Sequence, residues 1–570
     1  MFVAASRTGR PPAARGRSCC GLSLSLLLLL LAACTRAPAP SAPPTAAGLA
    51  TAGDVHVYTA IVEEPDDIQP FTAHAQVVRR LLLPFTHDTL FDRDPATGEL
   101  RPALAERFER DADGQGGTFT LRPGVVFADG TPLTMADVLF GYELHRAGHL
   151  PMGFAAEPFA RLAGAEARDD RHLHVRFADR HFAASSIVAE GWWVASRSHF
   201  VAAVAARAKQ LGQPEPAVGS AEFAALLGQI DDECGPGTGP YRLARGGWQR
   251  RQQLELVRNE RSWRRTALPG TWRLGGVRLL FRSGAAAAIA FARGEIDWQM
   301  DPAPERTLAA TPEIGERYRL VQYDHPGLGV FRIVWNLRQG PCQDARVRRA
   351  ITALLDRQAL AAKFPRHGGV AEAFAKRGAA SYPRHPGLGH DPTAARGWLR
   401  EAGFDPAAGQ PLRLRLLAPI GSPEIDATVA QLQQACRDAG VDLVVRSVDF
   451  RSFFAERSRG EWDGELVQQS FRPWGDPFDF LHSTGVDNWG GFADAQVDGW
   501  LAAAQVELDD GRRAALWRQV HERVQELQPV TFLLHPLVCM WLNKDLQGAE
   551  PGPLGLSPER MWVEAARARR

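Results

Sequence analysis

The stretch TFTLRPGVVFADGTPLTMADV, residues 118–138, sets the reading of the chain. Thr118, Thr120 and Arg122 alternate with Phe119 and Leu121, the period of a strand with one face buried. Asp129-Gly130 makes a turn, glycine supplying backbone freedom that other residues lack. Thr134 and Asp137 stand at capping-box spacing, so a helix opens there and carries Val138, Leu139 and Tyr142. A strand, a turn and a capped helix in so short a space predict a mixed α/β body.

The second half repeats the style. Asp344 can cap a helix with Val347, Ala350, Ile351 and Leu354 on one face, and Arg346, Arg348 and Arg349 turned outward. Leu412, Leu414 and Leu416 alternate with Arg413 and Arg415 as a strand. A helix around Val429, Leu432 and Cys436 stops at Gly440, and 441–448 is the next strand. Strand, helix and strand at this spacing predict a parallel pair with a right-handed crossover. No internal repeat of solenoid length is visible.

A chain of 570 residues exceeds what one hydrophobic core serves, so two lobes or more are expected. The net charge is +1, which gives no reason to expect nucleic acid or an anionic membrane surface as partner. The amino terminus is a different matter. Arg7, Arg10, Arg15 and Arg17 precede the leucine-rich run 22–31, and Leu31-Ala32-Ala33-Cys34 follows. Basic, apolar and small-residue regions in that order make a secretory leader, and the run is far shorter than the roughly 20 residues of a membrane span. A cysteine directly after Leu-Ala-Ala resembles a bacterial lipobox. That resemblance implies a signal peptide over 1–33 and a mature chain tethered by lipid at Cys34; the alternative is an ordinary secretory peptide with an accidental cysteine. Residues 34–53, rich in proline and alanine, read as a semi-extended spacer. The protein is therefore expected outside the cytoplasm.

Of seven cysteines, Cys234, Cys342, Cys436 and Cys539 belong to the folded body. They form no CxxC and no zinc spacing. An oxidising compartment permits disulfides; buried free thiols are the equal alternative. No P-loop, HExxH or nucleophile elbow occurs in the mature region. His172 and His174 share one face of a strand, but Arg171 and Arg176 beside them read as a solvated face rather than a metal pair. The residues thus offer no support for an enzyme, a cofactor or a metal.

The 118–138 stretch also resembles the signature of the family 5 extracellular solute-binding proteins, the oligopeptide-, dipeptide- and nickel-binding receptors of bacterial ABC importers. Other segments agree in order: His87-Asp-Thr-Leu-Phe-Asp-Arg-Asp94, Pro102-Ala-Leu-Ala-Glu106, Gly237-Thr-Gly-Pro-Tyr241 with Asn259 and Trp263, Arg293-Gly-Glu-Ile-Asp297, and Asp344 through Ile351 with Asp356-Arg357. The resemblance covers essentially all of 54–570. It implies the large, cluster-C type of periplasmic-binding-protein fold, two α/β lobes joined by a hinge, with lobe I over 54–328, lobe II over 329–529, and 530–570 returning to lobe I. It implies a monomer that captures a solute by closure and delivers it to two permease subunits driven by cytoplasmic ATPases, in the periplasm or at the cell surface.

The same resemblance points to the loop Arg472-Pro-Trp474-Gly-Asp476-Pro-Phe478-Asp479-Phe480-Leu481 as the ligand segment. In peptide-binding relatives it reads roughly W-x-x-D-Y-x-D-P, the first aspartate pairing with the peptide's ammonium. Two registers fit here. In one, Asp476 falls on the ammonium partner and Asp479 on the second aspartate, with Pro477 replacing the tyrosine. In the other, Asp476-Pro477 is the terminal pair and Pro473 stands where the partner should be. The loop also resembles the nickel-binding branch, with Phe478 at that branch's aromatic, but His482 misses its histidine and matching arginines are absent. Trp192, Trp193 and Trp489 are candidate cleft walls or core residues. Glu63 and Glu64, after the first strand, could offer charge to a cationic ligand or form a solvated turn. A short peptide or similar zwitterion is the expected ligand. A metal chelate or other non-peptide solute is the rival within the class; a secreted hydrolase, chaperone or sensory receptor is the rival outside it.

Overall fold

The computed structural model describes residues 56–72, 77–150, 157–301, 304–364, 367–470, 475–564 and 567. The leader, Cys34 and the spacer lie outside the described residues, as do Arg472 and Trp474 of the loop expected to meet ligand.

The opening stretch folds as its pattern predicts. Strand Gly116–Leu121 sits inside a four-stranded antiparallel sheet, between Ala105–Arg110 and His172–Phe177, with Leu162–Ala167 outermost. Asp129 accepts hydrogen bonds from the Thr131 amide and hydroxyl, tightening the turn. The capping box of Thr134 and Asp137 then opens helix Met135–Arg146. His172 and His174 do lie along one strand face, each engaged by a carboxylate, Asp169 and Asp111.

Two larger sheets organise the rest. The first has seven strands in the order Tyr318–Tyr323, Val538–Asn543, Trp298–Met300, Val57–Val62, Gly276–Phe281, Gln253–Arg258, Tyr241–Gln249. The second has five, in the order Asp442–Val448, Arg413–Pro419, Gly464–Gln469, Val330–Trp335, Val530–Leu534. Arg413–Pro419 and Asp442–Val448 are parallel, as expected. The chain passes from first sheet to second through 324–329 and returns through 535–537, so each sheet centres one lobe of a two-lobed fold. At the first crossing Gly329 has φ 71°, and a Cβ there would stand 1.5 Å from the Gln469 carbonyl oxygen; no side chain fits.

Two sequence expectations change, and one open alternative is decided. Val530–Leu534 pairs antiparallel with Val330–Trp335, so it is a strand of lobe II and the return to lobe I begins beyond it. Its uniformly buried residues carry no period to say which sheet they join. Arg348, expected to face solvent, is buried and donates to the carbonyls of Leu527, Gln528, Cys342 and Gln343. Of the two alternatives for the four body cysteines, the structure has buried thiols.

The segments that resemble family motifs act as joints of lobe I. Asp88 accepts from Thr238 Oγ1, Trp263 Nε1 and Arg264 Nε, each at 2.8 Å. Arg264 also holds Asp92, which pairs with Arg101, and Arg101 reaches Glu559 near the carboxyl terminus. Gly237 and Gly239 let the chain cross the Thr86 carbonyl so closely that a Cβ at Gly237 would lie 1.9 Å from its oxygen. Asp297 accepts from the Thr59 amide at 2.8 Å and from Asn543 Nδ2 at 3.0 Å, and pairs with His56, fastening three strands.

Candidate functional site

Strand direction locates the crevice. In the lobe II sheet, Arg413–Pro419 runs parallel to both Asp442–Val448 and Gly464–Gln469, while Val330–Trp335 runs antiparallel to Gly464–Gln469 and Val530–Leu534. The carboxyl ends of four strands therefore share one edge with the start of Val330–Trp335, the edge where both crossings occur. In the lobe I sheet, Val57–Val62, Gly276–Phe281 and Trp298–Met300 likewise end where Val538–Asn543 begins. Ligands of open α/β sheets bind outside the carboxyl ends of strands. Both lobes turn that edge toward the hinge.

The loop after Gly464–Gln469 emerges there and carries Asp476, Phe478 and Asp479. Asp476 Oδ1 accepts the Phe478 amide at 3.0 Å, and Oδ2 accepts from the Gln505 side-chain amide. Among the described residues no basic side chain forms an ion pair with it. Burial, with Asp479 nearby, raises its pKa from 3.8 to about 6. The Asp479 carboxylate makes no hydrogen bond or ion pair with another described residue. Phe478 stacks on His482 at 4.2 Å. His482 donates or accepts through Nδ1 with Thr484, so the ring is committed locally.

The helical turn Phe478–Leu481 rests on a buried cation. Arg332, on the first crossing strand, lies 5.2 Å from the ring centres of both Phe374 and Phe480 and donates to Gln469 Oε1 at 3.2 Å. Desolvation lowers its pKa to about 10. The two rings stack on each other at 5.5 Å, and the cation beside the pair helps to fix them. Nothing in a strand pattern announced Arg332, since a charged residue between Phe331 and Ile333 reads as the solvent face.

Large apolar side chains at the same edge were also missed. Ile420, after Arg413–Pro419, is 57% exposed; Phe450 and Phe454, opening helix Phe450–Arg459, are 60% and 46% exposed. The Ile420 amide bonds the Val448 carbonyl, two residues before Phe450, and the Phe450 and Phe454 rings meet edge-to-face at 4.9 Å. In sequence these phenylalanines look like a core face. Only Phe453 is one. Across the crevice Glu64 accepts the Arg251 amide at 3.1 Å, so it closes a turn.

The tryptophans divide. Trp192 is fully buried among Tyr142, Phe159 and their neighbours and donates to the Val138 carbonyl at 2.7 Å. It is core and does not wall the cleft. Trp193 is half-buried against the lobe I core and its backbone bridges Thr89. Trp489 covers Arg457 at 5.2 Å, and the Leu337 amide bonds neighbouring Gly490. That position is past the end of Val330–Trp335, the sheet edge opposite the crossings, so Trp489 is removed from the crevice edge.

A family model described as bacterial extracellular solute-binding proteins, family 5, middle region, matches residues 99–491. The chain belongs to that family. Protein XP55 of Streptomyces lividans is 27% identical to this family 5 protein over 505 residues, spanning 84% of this chain and 83% of that one. Di/tripeptide-binding protein 1 of Pseudomonas aeruginosa is 24% identical over 499 residues, spanning 83% and 87%. The solved oligopeptide-binding protein AppA of Bacillus subtilis, in complex with a nonapeptide, has the same fold: TM-score 0.66 at 19% identity, over 90% of this chain and 99% of that one. Among the described residues of this solute-binding protein no helix is long and apolar enough to cross a membrane.

Proposed function

We propose that this family 5 protein captures a short peptide or similarly zwitterionic solute between its lobes and hands it to the permease of an ABC importer. Its mature chain begins at Cys34 and is held to the membrane by lipid on that cysteine. The observation that carries the ligand class is Asp476: a desolvated carboxylate at the crossing edge, given neutral donors by Phe478 and Gln505 and, among the described residues, no ion-pair partner. A ligand ammonium would supply the missing charge, and a charge-assisted bond in a closed cleft is stronger than a neutral one. Asp479 adds a second carboxylate, while Ile420, Phe450 and Phe454 offer an apolar wall for side chains. The names of the di/tripeptide- and oligopeptide-binding relatives agree with this reading.

The protein performs no chemistry on its cargo. A ligand touching both lobes has higher affinity for the closed arrangement than for the open one, and that difference is what a permease reads. Native mass spectrometry of the mature body, purified from its own host, tests the ligand class. A distribution of retained masses fitting short peptides is expected. A single mass with a metal isotope pattern, or a sugar, would overturn the peptide reading. Asp476→Ala should weaken binding of the retained peptide by about 2–5 kcal/mol, the range for removing one partner of a buried charge pair.

A further inference from the structure

One lobe I side chain is seated in lobe II. Phe182 follows strand His172–Phe177 of the four-stranded sheet, yet it packs against the cluster that includes Phe374, Phe480, Val497 and Trp517. Its ring meets Trp517 edge-to-face at 5.5 Å, and the Arg513 guanidinium lies 4.3 Å over it. On its other side His181, itself buried, stacks at 4.8 Å. Its amide donates to the Gln505 carbonyl at 2.8 Å, near the end of helix Ala495–Val506. Gln505 is the residue whose side chain holds Asp476.

We infer that Phe182 is an interlobe latch and that Gln505 is a positioning residue coupling it to the ligand loop. The main chain of Gln505 is fastened by lobe I while its amide side chain orients a lobe II carboxylate at the crevice edge. Separation of the lobes must break the Phe182–Gln505 bond and withdraw the ring from beneath Arg513. Withdrawal leaves the last turn of Ala495–Val506 without that anchor, and the Gln505 side chain loses the fixed base from which it reaches Asp476. Closure and ordering of Asp476 are then one event. A ligand that uses Asp476 stabilises the latched state, and an empty loop releases it, by reciprocity of coupled equilibria.

The coupling rests on the two-lobed fold and not on the peptide reading, and its test uses no ligand. The full mature chain and its Phe182→Ala variant are compared by small-angle X-ray scattering and by hydrogen exchange of the Phe478 amide, which bonds Asp476. Phe182→Ala should increase the radius of gyration and speed Phe478 exchange about tenfold, the size of a lost aromatic contact plus one hydrogen bond. Phe182→Leu, which keeps an apolar group in the seat, should show both shifts at reduced size. Gln505→Ala should speed Phe478 exchange with little change in scattering, because its carbonyl remains. Unchanged scattering in Phe182→Ala refutes the latch. Opened scattering with unchanged Phe478 exchange refutes the coupling.

Discussion

Replacing Asp476 by asparagine should make the protein more stable, by an amount that depends on pH. The carboxyl's pKa rises from 3.8 to about 6 on folding, chiefly through desolvation. The folded state therefore holds this proton more tightly than the unfolded chain does. Its contribution favours folding fully below pH 3.8 and is lost as pH rises through about 6. At about 1.4 kcal/mol per unit, the full cost of the ionised form above pH 7 is about 3 kcal/mol, of which about 1 is already incurred at pH 4.5. Asparagine keeps an oxygen for the Phe478 amide, and a flip of the Gln505 amide gives its nitrogen an acceptor. Urea unfolding of both proteins at pH 4.5 and 7.5, read as the variant's offset from the parent, isolates this group because all others cancel. The offset should grow in the variant's favour by about 2 kcal/mol between the two pH values. An equal offset at both would show that Asp476 is not a desolvated carboxylate, and the argument for a missing cation would fail with it.

Further expectations follow from the same geometry. Arg264→Ala removes the cation from buried Asp88 and should destabilise the protein by about 3–5 kcal/mol in chemical denaturation, the usual cost of orphaning a buried charge; a loss below about 1 kcal/mol would mean that Thr238 and Trp263 suffice for Asp88. Phe450→Ala should weaken titration by the retained peptide about fivefold, a typical aromatic contribution, with the melting temperature unmoved; a stability loss with unchanged affinity would assign the ring to packing. Cys34→Ala should shift the protein from the membrane fraction to the soluble one, and persistent membrane association would defeat the lipid anchor.

What was legible in the sequence is what is local. Thr134 and Asp137 satisfy helix donors within one turn, Asp344 caps its helix, and a short strand–helix–strand path permits only a parallel pair. The misreadings and the omissions share a cause. Arg348 lies on the polar side of its own helix by period, but the carbonyls of Leu527 and Gln528 arrive there from a distant segment. Arg332 breaks an apolar strand for a reason that appears only when the stacked Phe374 and Phe480 come to lie beside it. Val530–Leu534 is buried on both faces, so its pattern is silent about its sheet. Phe450 and Phe454 repeat at helical spacing like core residues, and only the sheet edge at which their helix begins exposes them.

The candidate site was half legible for a related reason. Family resemblance pointed to the loop and to Asp476 as candidates, on the ground that a ligand imposes residue types on a few positions. It could not say what holds those residues in the absence of a ligand. Asp476 is held by a glutamine from another helix, and that helix is bonded to the opposite lobe. A desolvated carboxylate without an ion-pair partner depends on neutral donors to hold its orientation. Here the restraint comes from the element that closure brings into place, so preorganisation for the ligand and the conformational change the ligand favours draw on the same contacts. A binding protein built this way spends little of its ligand's affinity on ordering the site after the lobes have met.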